Sequence, residues 1–257
     1  MPIPLHPAAQ NGFSQTAELY QNSRPSYPDE IVTWLSDHLN LNATSEVVDL
    51  GAGTGKFIPY LQQVTPNIQA IEPISEMLEQ LKILYPNVHC IQTQSDNLKL
   101  AAESIDSVLC AQSFHWFADH ASLKEIHHVL KTHGSLGLIW NQRDRTVPWV
   151  DAIANFLIPL EGDTPRYHHG TWQKILAESN LFKFESESTY SFNHTGTVEQ
   201  VVIQRILSTS FVAASSLEKK EYIRHEILKI IHQHLNKDLH DSISFPYVTH
   251  AYHYKKR

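Results

Sequence analysis

Three glycines spaced G-x-G-x-G, at Gly51, Gly53 and Gly55, follow the apolar, acid-bearing run Val47-Val48-Asp49-Leu50 and precede a segment of helical character. Glycine takes positive φ without strain and lets a ligand approach the backbone closely. Amides that open a helix lack internal partners. The loop Asp49-Leu50-Gly51-Ala52-Gly53-Thr54-Gly55 is therefore expected to cradle a polar, nucleotide-like ligand at the carboxyl edge of a parallel sheet. A dinucleotide loop needs a glycine at position 56, where this chain has Lys56, so the spacing counts against a nicotinamide dehydrogenase.

Three further features fall at the ends of predicted strands. Glu72 closes Ile68-Gln69-Ala70-Ile71-Glu72, where an acid can accept two ribose hydroxyls. Ser95-Asp96 follows the third predicted strand, and an Asp side chain with its neighbouring amide can read an adenine edge. Gln112-Ser113-Phe114-His115-Trp116-Phe117 follows the fourth, beside the reacting end of such a ligand. His115 is the first candidate for a general base, since an imidazole with pKa near 6.5 suits that role; a His that only orders the pocket is the competing reading. Trp140, Asn141 and Arg143 follow the fifth strand and are expected to face a substrate. Arg143 either binds a substrate carboxylate in a bidentate fork or pairs with Asp144 or Glu161. Tyr20, Arg24 and Tyr167 are expected to help close the site.

These residues need a scaffold, and the chain supplies an alternation of elements. Predicted strands at 46–50, 68–72, 88–93, 105–111 and 135–140 alternate with helices at 55–64, 75–84 and 122–130, after a first helix over 29–39. Ser75 is the expected N-cap of the second of these, and Gly134 the left-handed residue after the last. This rhythm implies an α/β fold with a parallel sheet and helices on both faces. The later chain reads as helices at 149–160, 171–178, 197–208 and 217–235, with strands at 182–192 and 245–254. That helical material, over about 146–240, is expected to cap the ligand edge of one domain spanning 1–257.

Composition narrows the partners. The 257 residues are 42% hydrophobic and 10% aromatic, enough for a packed core. A formal charge of -7 and the absence of a Lys/Arg cluster before the last three residues argue against a nucleic-acid surface. Cys90 and Cys110 read as reduced core residues of a cytoplasmic protein. No leader pattern and no apolar run of about 18 residues is present, so neither export nor a membrane span is expected. The 17 histidines lack ligand-like spacing, and no metal is expected. The oligomer is left as monomer or homodimer.

Tyr20, Arg24-Pro25, Tyr27-Pro28, Asp49–Gly55, Glu72-Pro73, Met77, Asp106, Gln112–Phe117 and Ile139–Asp144 together resemble class I S-adenosylmethionine-dependent methyltransferases of the type 11 group. They are similar to small-molecule enzymes of the trans-aconitate methyltransferase kind. The resemblance covers residues 20–145 and implies a Rossmann-like, seven-stranded, mostly parallel sheet with the last strand inserted antiparallel. It implies S-adenosylmethionine as cofactor, a segment with Tyr20 and Arg24 folded over it, and Met77 packed on its adenine. Ser95-Asp96 departs from the Ala-Glu of many members. The implied reaction is direct in-line methyl transfer to a small molecule, a carboxylate or hydroxyl compound. The alternatives are a protein or peptide acceptor, or binding of the cofactor without turnover.

Overall fold

In the computed structural model, His6, Pro7 and residues 23–257 are described. Tyr20, expected to help close the site, lies outside the described residues. Seven strands form one sheet: β1 (Val47–Leu50), β2 (Ile68–Ile71), β3 (His89–Ile91), β4 (Ile105–Ala111), β5 (Leu130–Arg143), β6 (Phe182–Thr197) and β7 (Ser242–Lys256). Their order is β3-β2-β1-β4-β5-β7-β6. The first five pair in parallel, and β7 lies antiparallel between β5 and β6. The connections leave β1 on one side toward β2 and reach β4 on the other. In such sheets the ligand crevice opens at that reversal.

Period-two alternation assigns the two faces. Val47, Ala70, Leu109 and Ile139 pack with Ile31, Trp34 and Leu35 of α1 (Glu30–Asp37). Val48, Val108, Cys110, Leu138 and Trp140 point the other way, onto Leu123, Ile126 and Val129 of α4 (His120–Val129). Burying each such aliphatic side chain stabilises the fold by about 1.5–3 kcal/mol before entropy. Gly137 permits the close approach of α1: a Cβ there would meet Leu109 Cδ1 at 2.5 Å and Trp34 Cη2 at 3.2 Å. A third core lies under the cap, where α5 (Pro148–Leu157), the π-turn Val198–Ile203 and α6 (Leu217–Leu235) cover Phe245 and Tyr247 of β7.

Some expected boundaries shift for local reasons. Between Gly51 and Val64 only Ile58–Leu61 (α2) is helical, because Gly55 sits at φ 85° and cannot start a helix. Ser75 is not the N-cap of α3 (Ser75–Leu84): its hydroxyl turns to Glu76, and the Glu72 carboxylate accepts the Ile74 amide instead. After α4 the left-handed residue is His133 at φ 65°, not Gly134, since β5 already begins at Leu130. Among the described residues no helix is long and apolar enough to cross a membrane.

Candidate functional site

The glycine loop leaves the end of β1 with Gly51, Gly53 and Gly55 at φ 71°, 58° and 85°. Gly53 lines the crevice at positive φ, and a Cβ there would sit 3.2 Å from Met77 Cε. Gly55 serves packing, because a Cβ there would meet the Tyr85 ring at 2.7 Å. Glu72 Oε2 accepts from the Gly53 amide and Oε1 from the Ile74 amide, both at 2.9 Å. The acid at the end of β2 thus holds the loop in place. Burial pushes its carboxyl up to about 7 against the pull of those two amides.

Asp49 is fully buried on β1, and neither carboxylate oxygen has a hydrogen-bond partner among the described residues. Burial, with the Glu72 charge second, pushes its pKa up to about 8. A cavity of about 40 Å³ borders it, lined also by Gly51, Ala52, Gly53, Gln112 and Arg24. Lys56 and Arg205 form its cationic side. Lys56 Nζ donates to the Arg24 carbonyl at 2.7 Å, and burial brings its pKa down to about 8. An unpaired buried carboxylate opposite buried cations suits a ligand end that carries both charges.

Gln112 is on this cavity's wall, whereas Glu72, Pro73, Met77, Ser95, Asp96 and Ser113 are not. Gln112, at the end of β4, has φ 64°, a conformation that side chains other than glycine adopt at a cost. Ser113 Oγ donates to the Leu50 carbonyl at 2.6 Å and ties the β4 loop to β1. Pro73 and Met77 continue from Glu72, with Met77 buried. Ser95 Oγ meets Ser122 Oγ at 2.8 Å, and Asp96 is half-buried beyond the glycine loop.

A second cavity, of about 130 Å³, adjoins the first and shares Arg24, Gln112 and Arg205 with it. His115, Trp116, Trp140, Asn141, Arg143 and Tyr167 all line it, so every expected substrate residue converges there. Asn141 is held on both sides: its Nδ2 donates to the Ser26 carbonyl at 2.9 Å and its Oδ1 accepts from Thr249 at 2.7 Å. Tyr167 shares a 2.7 Å hydrogen bond with Tyr252.

Charge dominates this cavity. Arg24, Arg143, Arg145, Arg166 and Arg205 line it with one acid, Glu161, and Arg145, at the exposed rim, pairs with Asp151 at 2.7 Å. Arg166 Nε lies 3.3 Å from Glu161 Oε1, and His168 Nε2 lies 3.0 Å from Oε2. Burial works to raise the Glu161 carboxyl, but His168, Arg166 and Arg143 outweigh it and hold it below its ordinary value. Arg143 forms no ion pair with Asp144 or Glu161 among those recorded for the described residues. Its Nε has no hydrogen-bond partner among them, and burial with the Arg205 charge brings its pKa down to about 10. Glu161, His168 and His169 bring ligand-type atoms within 4.8 Å of one another, yet both Glu161 oxygens already face Arg166 and His168.

Arg205, Arg166 and Lys56 were not singled out by the sequence. Arg205 had a signal: it is the lone charge in the apolar stretch from Val201 to Val212, where a buried cation needs a reason. Arg166 and Lys56 had none, because only the fold brings them to the crevice.

The family model described as a methyltransferase domain matches residues 48–138, which span β1 to β5. An uncharacterized methyltransferase-like protein of Schizosaccharomyces pombe is 36% identical over 238 residues, covering 92% of each chain. An uncharacterized methyltransferase of Mycobacterium tuberculosis is 30% identical over 207 residues, 76% of this chain and 83% of the relative. The YcgJ protein of Bacillus subtilis shares the fold at TM-score 0.56 and 18% identity, covering 88% of this chain and 97% of the other. With its glycine loop, its acid at the end of β2 and its inserted β7, the chain belongs to the class I S-adenosylmethionine-dependent methyltransferases.

Proposed function

We propose that this methyltransferase acts on a small acceptor bearing a carboxylate, held in the arginine-lined cavity. The observation that carries the proposal is the excess of cations: five arginines line a single cavity in a chain of net charge -7, and while Arg145 pairs with Asp151 and Arg166 with Glu161, Arg143 and Arg205 have no ion pair among the described residues. Buried cations without enough counter-charge are costly in the empty protein. An anionic ligand relieves that cost, and guanidinium forks match carboxylate geometry. The cavity lies under the cap rather than along an open groove, which supports a small molecule over a peptide. Contributions from residues 24 to 210 to one cavity support a single working domain.

The residues fit S-adenosylmethionine. Asp49 offers an unpartnered carboxylate to the cofactor's ammonium, with Lys56, Arg24 and Arg205 toward its carboxylate. Gly51, Ala52 and Gly53 would give it backbone, Glu72 and Pro73 would hold its ribose, and Met77, Ser95 and Asp96 would hold its adenine. Gln112 and Ser113 shape the crevice between the two cavities. When bound, the cofactor supplies an electrophilic sulfonium methyl for direct in-line displacement. Arg143 and Arg166 hold the acceptor's charge, Asn141 ties the segment at Ser26 to β5, and the cap excludes water. Such positioning can contribute about 7–11 kcal/mol to the barrier reduction. No chain nucleophile is needed.

The test is production of S-adenosylhomocysteine from S-adenosylmethionine with a panel of small mono-, di- and tricarboxylates, matched neutral alcohols and amines, and a short peptide. Turnover confined to carboxylates supports the proposal. Turnover of neutral alcohols or of the peptide alone contradicts it.

A further inference from the structure

We infer that Trp140 is a positioning residue whose indole N–H fixes His115 in the tautomer carrying its proton on Nε2, so that His115 meets the acceptor as a hydrogen-bond donor and not as a base. This rests on the reading of the cavity as the acceptor site. Trp140 Nε1 lies 3.1 Å from His115 Nδ1. An indole N–H only donates, so Nδ1 must present its lone pair. A neutral imidazole then holds its one proton on Nε2.

Neither partner is free to turn away. Trp140 is fully buried on β5, with its ring 4.5 Å from Trp172, 5.2 Å from Tyr167 and 6.0 Å from Tyr252. His115 sits in the single 3-10 turn Phe114–Trp116, whose Phe114 is buried, and packs at 5.2 Å on the Trp116 ring. A doubly protonated ring cannot accept from the indole. It is also opposed by burial and by the charges facing it, Arg166, Arg24, His168 and His169, which hold the His115 pKa well below its ordinary value.

The lone pair a base requires is therefore already engaged at Nδ1. The nitrogen left to the cavity carries a proton, and such a group steadies an oxygen that arrives as an anion. A carboxylate oxygen that bonds to a methyl carbon, as the carbon–sulfur bond breaks and its electron pair stays on sulfur, loses its charge and releases no proton. That chemistry needs no base, in keeping with the arginines around it.

The test is a two-bond proton–nitrogen correlation spectrum of the full chain labelled with 15N-histidine, recorded between about pH 6 and 8, where an ordinary imidazole titrates. The His115 signals are assigned by their loss in His115→Asn. The expected pattern is an unprotonated Nδ1 and a protonated Nε2, unchanged across the range. Trp140→Phe is expected to collapse the two nitrogen shifts toward an averaged pair. Should that variant not fold, His115→Ala tests the same bond from the other side, by an upfield shift of the Trp140 indole proton. A proton on Nδ1, a ring that titrates in this range, or an indole signal unmoved by His115→Ala overturns the inference. These readouts need no cofactor, so they stand apart from the outcome of the acceptor panel.

Discussion

Glu72 Oε2 accepts the Gly53 amide at 2.9 Å across 19 residues of sequence, so the acid at the end of β2 is built into the glycine loop that ends β1. Its other oxygen caps the entry to α3 through Ile74. Glu72→Gln keeps the shape but replaces one acceptor oxygen with a donor facing an amide donor. Loss of a charge-assisted bond of this kind costs about 1.5–3 kcal/mol. The expected outcome is a lower denaturation midpoint together with at least tenfold weaker binding of S-adenosylhomocysteine, read by chemical denaturation and calorimetry.

Asp49 makes apo stability depend on pH. Its folded pKa, about 8, lies above the ordinary 3.8, and that of Glu72, about 7, above 4.5. A raised folded pKa means the native state binds the proton more tightly. The stabilisation is complete below the ordinary value and disappears as pH rises toward the folded one. The melting temperature of the cofactor-free protein is therefore expected to fall between pH 4.5 and 8. Asp49→Asn is expected to flatten that fall, leaving the Glu72 part. A midpoint that rises over this window in the parent protein contradicts the assignment.

Gly53→Arg tests the loop directly. A side chain there starts against Met77 Cε at 3.2 Å and at φ 58°, and then fills the crevice. Binding of S-adenosylhomocysteine is expected to drop below detection, while circular dichroism keeps the α/β signature. Retention of full affinity rejects the site.

Arg143→Met separates function from stability. The guanidinium is buried beside Arg166 and Arg205 with an unpartnered Nε, so its removal is expected to leave stability unchanged or raised by about 1 kcal/mol. KM for a carboxylate acceptor is expected to rise at least tenfold. Unchanged kinetics would show that the cavity's charge serves something other than the acceptor.

Gly137→Ala is the control outside the site. A methyl group 2.5 Å from Leu109 Cδ1 and 3.2 Å from Trp34 Cη2 forces the Leu109 side chain and its packing against α1 to shift and is expected to cost about 1–3 kcal/mol, with cofactor affinity unchanged in the folded fraction.

Much of the fold was legible because its signals are local. The alternation of strands and helices, β4 at 105–111 and the long helix 217–235 follow from periodicity and stand where expected. The glycine loop and Glu72 were legible because a ligand loop at a strand end has its own chemistry. Antiparallel insertion of β7 was not in the pattern itself and came from family resemblance. The second cavity was half legible: His115, Trp140 and Arg143 follow strands, whereas Arg166 and Arg205 lie on the cap, and only tertiary packing brings them to the sheet edge. Ser75 misled because Glu72, three residues earlier, takes the capping role from it.

The most direct test of the central claim is calorimetric titration of the purified chain with S-adenosylhomocysteine and S-adenosylmethionine, with NADH as the control and Asp49→Asn alongside. One micromolar site is expected for each sulfur compound, with no binding of NADH and at least tenfold weaker binding in the variant. Binding of NADH, or no binding of either sulfur compound, contradicts the claim.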